Sequence, residues 1–224
     1  MTKLPEPLGA SKPQAILFDW DNTLVDSWEI IHDALNTTFA AFDKQLWTLD
    51  QTKDRVRGSM RESFPAVFGD QWEHAADVFY QRYEKIHARR TQPLSGVEIL
   101  LSYLQNEKIY LGVVSNKTAR LLRKEAGHLG WDHYFEKIIG AGDAERDKPA
   151  ADPVHLALSG SGVEAGREVW FVGDADVDLE CAINLGCVPV LVRQKPPETQ
   201  EFDNCPPEHY FNDCNALCKF LQTM

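Results

Sequence analysis

Five short apolar runs punctuate the chain, and each but the last stops abruptly at polar or small residues. Gln14-Ala15-Ile16-Leu17-Phe18 ends at Asp19, and Ile109-Tyr110-Leu111-Gly112-Val113-Val114 ends at Ser115-Asn116-Lys117. Lys137-Ile138-Ile139 ends at Gly140, Val169-Trp170-Phe171-Val172 ends at Gly173-Asp174, and Val188-Pro189-Val190-Leu191-Val192 closes the set. Runs this short with no polar alternate face predict strands buried on both sides, as in a parallel sheet. Helical stretches lie between them at residues 97–104, 118–129, 153–159 and 178–185. Alternation of strand and helix predicts an α/β fold, a Rossmann-like parallel sheet flanked by helices. In such open sheets ligands bind beyond the carboxyl ends of the strands, where Asp19, Ser115 and Asp174 would project.

The first two runs are separated by about ninety residues, whereas a whole βαβ unit takes roughly thirty. Something is inserted. Ile31, Leu35, Phe39 and Phe42 recur at helical spacing, as do Ala75, Phe79, Tyr83 and Ile86. The expected organisation is a loose tail over residues 1–13, a discontinuous α/β core over 14–26 and 92–224, and an all-α insertion over 27–91 placed above the strand ends. The insertion also holds the loop Arg57-Gly58-Ser59-Met60-Arg61.

Composition narrows the class of protein. A chain of 224 residues, 43% apolar and 25% charged, can bury a full core and is ordinary for a soluble globular protein. No run approaches about 18 apolar residues and the tail lacks the apolar segment of a signal peptide, so no membrane partner and a cytoplasmic location are expected. A formal charge of −11 argues against nucleic acid as a partner, because backbone phosphates require clustered Lys and Arg. It does not argue against one small phosphorylated ligand held by a few placed cations. The cysteines, Cys181, Cys187, Cys205, Cys214 and Cys218, lack zinc-site spacing and read as free thiols. Monomer and homodimer are both compatible with this composition.

Candidate chemistry gathers at the strand ends. Asp19 and Asp21 could bind a metal structurally, cap a helix or react. An aspartate nucleophile would form an acyl-phosphate and divide hydrolysis into two displacements, with the neighbouring acid carrying the proton. Carboxylates repel a phosphate dianion, and Mg²⁺ would resolve that repulsion through hard oxygen ligands. Asp174, Asp176 and Asp178 offer further acids, although one of them could equally cap the following helix. Ser115 and the backbone N–H of Asn116 could donate to phosphoryl oxygens, and Lys148, ahead of Pro149, is a candidate cation.

Four segments in order resemble the haloacid dehalogenase superfamily, specifically its phosphatases similar to phosphoglycolate phosphatase. They are Phe18-Asp19-Trp20-Asp21-Asn22-Thr23-Leu24-Val25-Asp26-Ser27, Val114-Ser115-Asn116-Lys117, Asp147-Lys148-Pro149 and Val172-Gly173-Asp174-Ala175-Asp176-Val177-Asp178. The resemblance implies Asp19 as nucleophile, Asp21 as general acid/base, and Ser115, Asn116 and Lys148 as phosphate-binding groups. It implies Mg²⁺ held by Asp19, the carbonyl of Asp21, Asp174, and Asp178 directly or through water. It implies a mobile helical cap over residues 27–91, with Arg57 and Arg61 as its substrate-binding residues, and a small phosphorylated metabolite such as 2-phosphoglycolate as substrate. Asn22 stands where the family commonly has glycine, a change that asparagine's tolerance of unusual backbone angles accommodates.

Neighbouring activities fit less well. Dehalogenases lack the second acid, here Asp21. Sugar phosphomutases similar to β-phosphoglucomutase carry a histidine at the position of Ile31, one residue from His32. Phosphonatases need a cap lysine, and nothing around Lys53 favours that role. A signalling receiver uses similar strand-end residues but has no lid, and a catalytically silent binding protein would have little reason to keep every reactive residue type.

Overall fold

The computed structural model describes residues 12–56 and 58–224. Most of the expected tail, residues 1–11, and Arg57, expected to meet substrate, lie outside the described residues. The core is a sheet of six parallel strands: β1 (Ala15–Phe18), β4 (Tyr110–Thr118), β5 (Lys137–Ala141), β6 (Val169–Gly173), β7 (Val188–Val192) and β8 (His209–Phe211). Their order is β5-β4-β1-β6-β7-β8. All four residues of β1 are buried because the strand is central, with β4 on one side and β6 on the other. The chain builds outward through β4 and β5 and then crosses to β6 on the opposite side of β1. That reversal makes a crevice at the carboxyl end of β1, the usual ligand position in doubly wound sheets.

The five apolar runs are all strands, although some of their ends differ from expectation and one strand is added. β4 continues through Ser115, Asn116 and Lys117 to Thr118 instead of ending at Val114. Its pairing with β5 shifts register between Val114 and Thr118, an irregularity that re-aims side chains while the chain stays extended. Val188–Val192 is not the last strand, since β8 extends the sheet by three half-buried residues at its edge. A strand of that length leaves no apolar run to read. Helix α9 (Cys214–Leu221) follows, with Asp213 accepting the Ala216 N–H at 2.8 Å as its cap. It buries Cys214 and Cys218 on one face, and all five cysteines are buried and unbridged. The remaining core helices are α5 (Val97–Asn106), α6 (Ala119–Leu129), α7 (Asp152–Leu158) and α8 (Asp176–Asn184).

The long insertion leaves through β2 (Val25–Asp26) and returns through β3 (Gln92–Pro93), which pair antiparallel. Between them stand α1 (Trp28–Ala41), α2 (Leu49–Arg55), α3 (Met60–Phe68) and α4 (Trp72–Arg90). Helix α2 starts with a reciprocal cap, in which Thr48 Oγ1 accepts the Gln51 N–H and Gln51 Oε1 accepts the Thr48 N–H. The insert has its own apolar cluster, including Phe39, Phe64, Phe68, Phe79 and Tyr83, which meets the core through Leu121 of α6. Among the described residues, no helix is long and apolar enough to cross a membrane.

Gly173 ends β6 under the first turn of α8. A Cβ there would lie 2.3 Å from Cβ, Cγ and Oδ2 of Asp178, so either the helix or the carboxylate would have to move. Gly173→Ala should lower unfolding free energy by about 1–3 kcal/mol, read in urea titration as a lower midpoint at unchanged slope.

Candidate active site

Asp19 directly follows β1, and its N–H continues the sheet by donating to the Val172 carbonyl at 2.9 Å. The chain then turns sharply. Asn22 takes φ +64°, a left-handed conformation that asparagine tolerates better than most residues. Asn22 Oδ1 accepts the Ser27 N–H at 3.3 Å, and Ser27 Oγ donates to Asp21 Oδ1 at 2.5 Å. The turn therefore fixes Asp21 two residues beyond Asp19 before any long-range contact is counted.

Lys148 supplies the principal long-range contact. Its buried Nζ donates to Asp19 Oδ1 at 2.6 Å and to Asp178 Oδ1 at 2.7 Å. Asn116 carries the Lys148 loop to this point, its amide oxygen accepting the Lys148 N–H at 2.9 Å and its amide nitrogen donating to the Lys148 carbonyl at 3.1 Å. The Asn116 side chain is thus a latch between the end of β4 and the Lys148 loop, whereas the expectation concerned its backbone N–H. Ser115 is buried at the floor of the same crevice, and its Oγ accepts the Lys117 N–H at 3.2 Å.

Asp178 has two duties. Its Oδ2 accepts the backbone N–H groups of Asp174 and Ala175 at 3.2 and 3.1 Å, capping α8, while its Oδ1 meets Lys148. Asp174 accepts from Thr23 Oγ1 at 3.3 Å. Asp176 is exposed and accepts the Val177 N–H at 2.9 Å. Ligand oxygens of Asp19, Asp174 and Asp178 all lie within 4.8 Å of one another.

The electrostatics follow from that crowding. Burial pushes the Asp19 carboxyl up to about 6 against the pull of Lys148, with Asp178 and Asp21 adding repulsion. Burial, followed by repulsion from Asp178 and Asp19, holds Asp174 well above the usual carboxylate range. Burial alone would discharge Lys148, yet Asp178 and Asp19 keep it more basic than an ordinary lysine. Three hard-oxygen carboxyl groups lie together, two of them bonded to the Lys148 ammonium, and that donor set fits a divalent cation.

The sequence profile described as haloacid dehalogenase-like hydrolase matches residues 16–192. The chain belongs to this family. It is 30% identical over 174 residues to a phosphoglycolate phosphatase of Aquifex aeolicus (strain VF5), covering 77% of this chain and 81% of that protein. It is 28% identical over 185 residues to an N-acetylmuramic acid 6-phosphate phosphatase of Pseudomonas aeruginosa, covering 80% of this chain and 81% of that one. The crystal structure of a HAD-superfamily hydrolase from Ehrlichia chaffeensis superposes with a TM-score of 0.66 at 26% identity, covering 96% and 98% of the two chains.

In this hydrolase Arg61 and His32 of the insert are not among the residues that line the crevice. Arg61 sits in the first turn of α3 and forks onto Asp147, with Nε and Nη2 each 2.6 Å from a carboxylate oxygen. It also reaches the Ala144 and Glu145 carbonyls at 3.3 and 3.2 Å, and so clasps the insert to the loop that carries Lys148. His32 pairs with Thr52 Oγ1 at 3.0 Å, while Ile31 lines the crevice.

The sequence reading gave Lys117 no role, yet its Nζ donates to Asp21 Oδ1 at 2.5 Å, Tyr83 Oη at 2.7 Å and Glu125 Oε2 at 3.0 Å. Glu125, on α6, also accepts from Trp20 Nε1 at 2.8 Å, Tyr83 Oη at 2.9 Å and His87 Nδ1 at 3.1 Å. Trp20, between the two acids, therefore anchors their loop from below, while Tyr83 and His87 bring α4 of the insert to the same carboxylate. The pattern Lys117 to Glu125 spans a strand end and the next helix, so no local spacing marked it.

Burial would raise the Glu125 carboxyl, but the Lys117 charge and the hydrogen bonds from His87, Lys117 and Trp20 outweigh it and bring the group down to about 2. A carboxyl with a depressed folded pKa adds stability above its ordinary value of 4.5, and that stability is lost as pH falls toward about 2. Removing one partner of a buried pair costs roughly 3–5 kcal/mol. Glu125→Ala should lose about that much in urea titration at pH 7, and the deficit relative to wild type should shrink below pH 4.

Proposed function

We propose that the protein is a Mg²⁺-dependent phosphatase that hydrolyses a small phosphomonoester through an aspartyl-phosphate on Asp19. The observation that carries this reading is Lys148 bridging Asp19 and Asp178 beside Asp174. It joins a reactive carboxylate, a fixed cation and a cation-hungry acid cluster in one crevice. Asp19, Asp174 and the backbone carbonyl of Asp21 would hold Mg²⁺, with Asp178 directly or through water. Bound there, the ion would supply charge neutralisation that lets a phosphate dianion approach carboxylates.

Asp19 attacks phosphorus and forms the acyl-phosphate bond as the ester P–O bond breaks. Asp21 gives its proton to the departing alkoxide, then takes one from the water that cleaves the intermediate, releasing inorganic phosphate and restoring Asp19. Lys148, Ser115 and the Asn116 N–H hold the equatorial oxygens during both displacements. Lys117 and Ser27, both bonded to Oδ1 of Asp21, keep that carboxyl aimed. The helical insert serves as the cap that excludes water, and Ile31 at the crevice wall leaves no histidine there for a phosphomutase reading. The two curated relatives described above carry different substrate names at similar identity, so 2-phosphoglycolate stands as one member of a panel.

Release of phosphate from a panel of phosphorylated metabolites should require Mg²⁺ and stop on chelation. Asp19→Asn should reduce turnover by about 10³-fold or more; full turnover in that variant would refute the nucleophile. The pH dependence of metal binding follows from Asp19. Its pKa is raised from 3.8 to about 6 on folding, so the folded chain holds an extra proton between those values. Stability from this group is greatest below that window and falls as pH rises through it. A cation relieves this penalty only when the carboxylate is charged, so Mg²⁺ should raise the thermal midpoint more at pH 7 than at pH 5.

A further inference from the structure

The crevice above Asp19 continues into a cavity of about 230 Å³ between the insert and the core. Its two ends differ in chemistry. Asp19, Asp21, Ser115 and Lys148 make a charged floor, while Leu35, Phe39, Phe64, Phe79 and Leu121 contribute apolar walls from α1, α3, α4 and α6. The walls are braced by ring contacts among themselves, with Phe64 and Phe79 centroids 6.0 Å apart and Phe39 and Phe68 centroids 5.9 Å apart. Packed aromatics keep such a space open, and apolar cavities of this order take up apolar guests.

Among the described residues, the cations that line the cavity are already partnered. Lys148 is shared between Asp19 and Asp178, and Lys117 between Asp21 and Glu125. Arg55 lies over the Trp47 ring, 5.0 Å from its centroid. A leaving group bearing its own carboxylate or several hydroxyls would have to give up water against phenyl and aliphatic surface, which is costly without compensating hydrogen bonds. An apolar leaving group would gain by the same transfer.

Resting on the phosphatase reading, we propose that the substrate is a phosphomonoester of an apolar alcohol. The phosphate lies on the charged floor and the hydrocarbon part fills the space beneath α1, α3 and α4. Selection comes from burial of apolar area and not from a distal charge contact.

The test uses primary alkyl phosphates from ethyl to hexyl, whose leaving groups share one basicity, beside glycerol 3-phosphate, glucose 6-phosphate and 2-phosphoglycolate, all with Mg²⁺. kcat/KM should rise with chain length by up to about fourfold per methylene and exceed that for the polar esters. Alkylphosphonates, whose C–P bond this chemistry does not cut, supply a binding readout by calorimetry, and their Kd should fall along the same series. Ile31→Asn and Met60→Gln, at half-buried wall positions, should each flatten both slopes. Turnover with a flat phosphonate series, or a preference for 2-phosphoglycolate or glucose 6-phosphate, overturns the apolar seat and leaves the phosphatase reading standing. A rising phosphonate series with no ester hydrolysed supports the seat and refutes the phosphatase reading.

Discussion

Three carboxyl groups are held within 4.8 Å at the carboxyl end of a buried sheet, with one lysine among them. Such a concentration of like charge is unfavourable in a low-dielectric setting, and much of the surrounding structure serves to maintain it. Gly173 gives Asp178 room to lie against the strand end. The N–H groups of Asp174 and Ala175, just ahead of α8, donate to one oxygen of Asp178, leaving the other for Lys148. Asn116 pins the Lys148 backbone from both its donor and its acceptor side. Arg61 then ties the insert to Asp147, the residue before Lys148. Each contact restrains a group that would otherwise relax away from its neighbours, so the cluster stays poised to gain a cation.

The two acids of the first loop are given separate electrostatic neighbours by this arrangement. Asp19 meets Lys148, which comes from the loop after β5, whereas Asp21 meets Lys117, which comes from β4. Trp20 lies between them in sequence and bonds Glu125, the carboxylate that also holds Lys117. Pairs of titratable groups in unlike environments are what divided acid and nucleophile roles require. The Glu125 network has a second consequence. Tyr83 and His87 belong to the insert and converge on the carboxylate that also holds Lys117. A shift of α4 would disturb the support of Asp21, so the position of the insert and the alignment of the acid/base candidate are mechanically linked.

The sheet was largely legible because each buried strand is an apolar run that stops at a polar residue, a pattern set by burial alone. β8 escaped because three half-buried edge residues leave no such run, and the continuation of β4 escaped because a register shift carries polar residues along an extended chain. The acid cluster was legible for a different reason: Asp19, Asp174 and Asp178 are acids at strand ends, and strand ends converge. Side-chain partnerships across elements were not. Lys117 and Glu125 are eight residues apart but join the end of a strand to the buried face of the next helix. The expectation that Arg61 meets substrate rests on the resemblance of its loop, and nothing in that segment marks the aspartate it pairs with 86 residues later. Pairwise geometry of that kind is decided by packing, which one chain's spacing does not encode.

The apolar insert and the charged floor are best understood together. A helical insert of this length must bury its own aromatic residues, and Phe39, Phe64, Phe68 and Phe79 do so by packing mainly on one another. Setting that cluster over the strand ends places hydrocarbon where bulk water would otherwise screen Lys148, Lys117 and the carboxylates. Lower screening strengthens every fixed donor aimed at a phosphoryl group, and it also raises the cost of leaving the acids uncompensated. One packing solution therefore stabilises the insert, sharpens the electrostatics of the floor and limits which groups fit between them. The chemistry proposed at Asp19 and the selectivity proposed above it would both follow from the same placement of aromatic side chains.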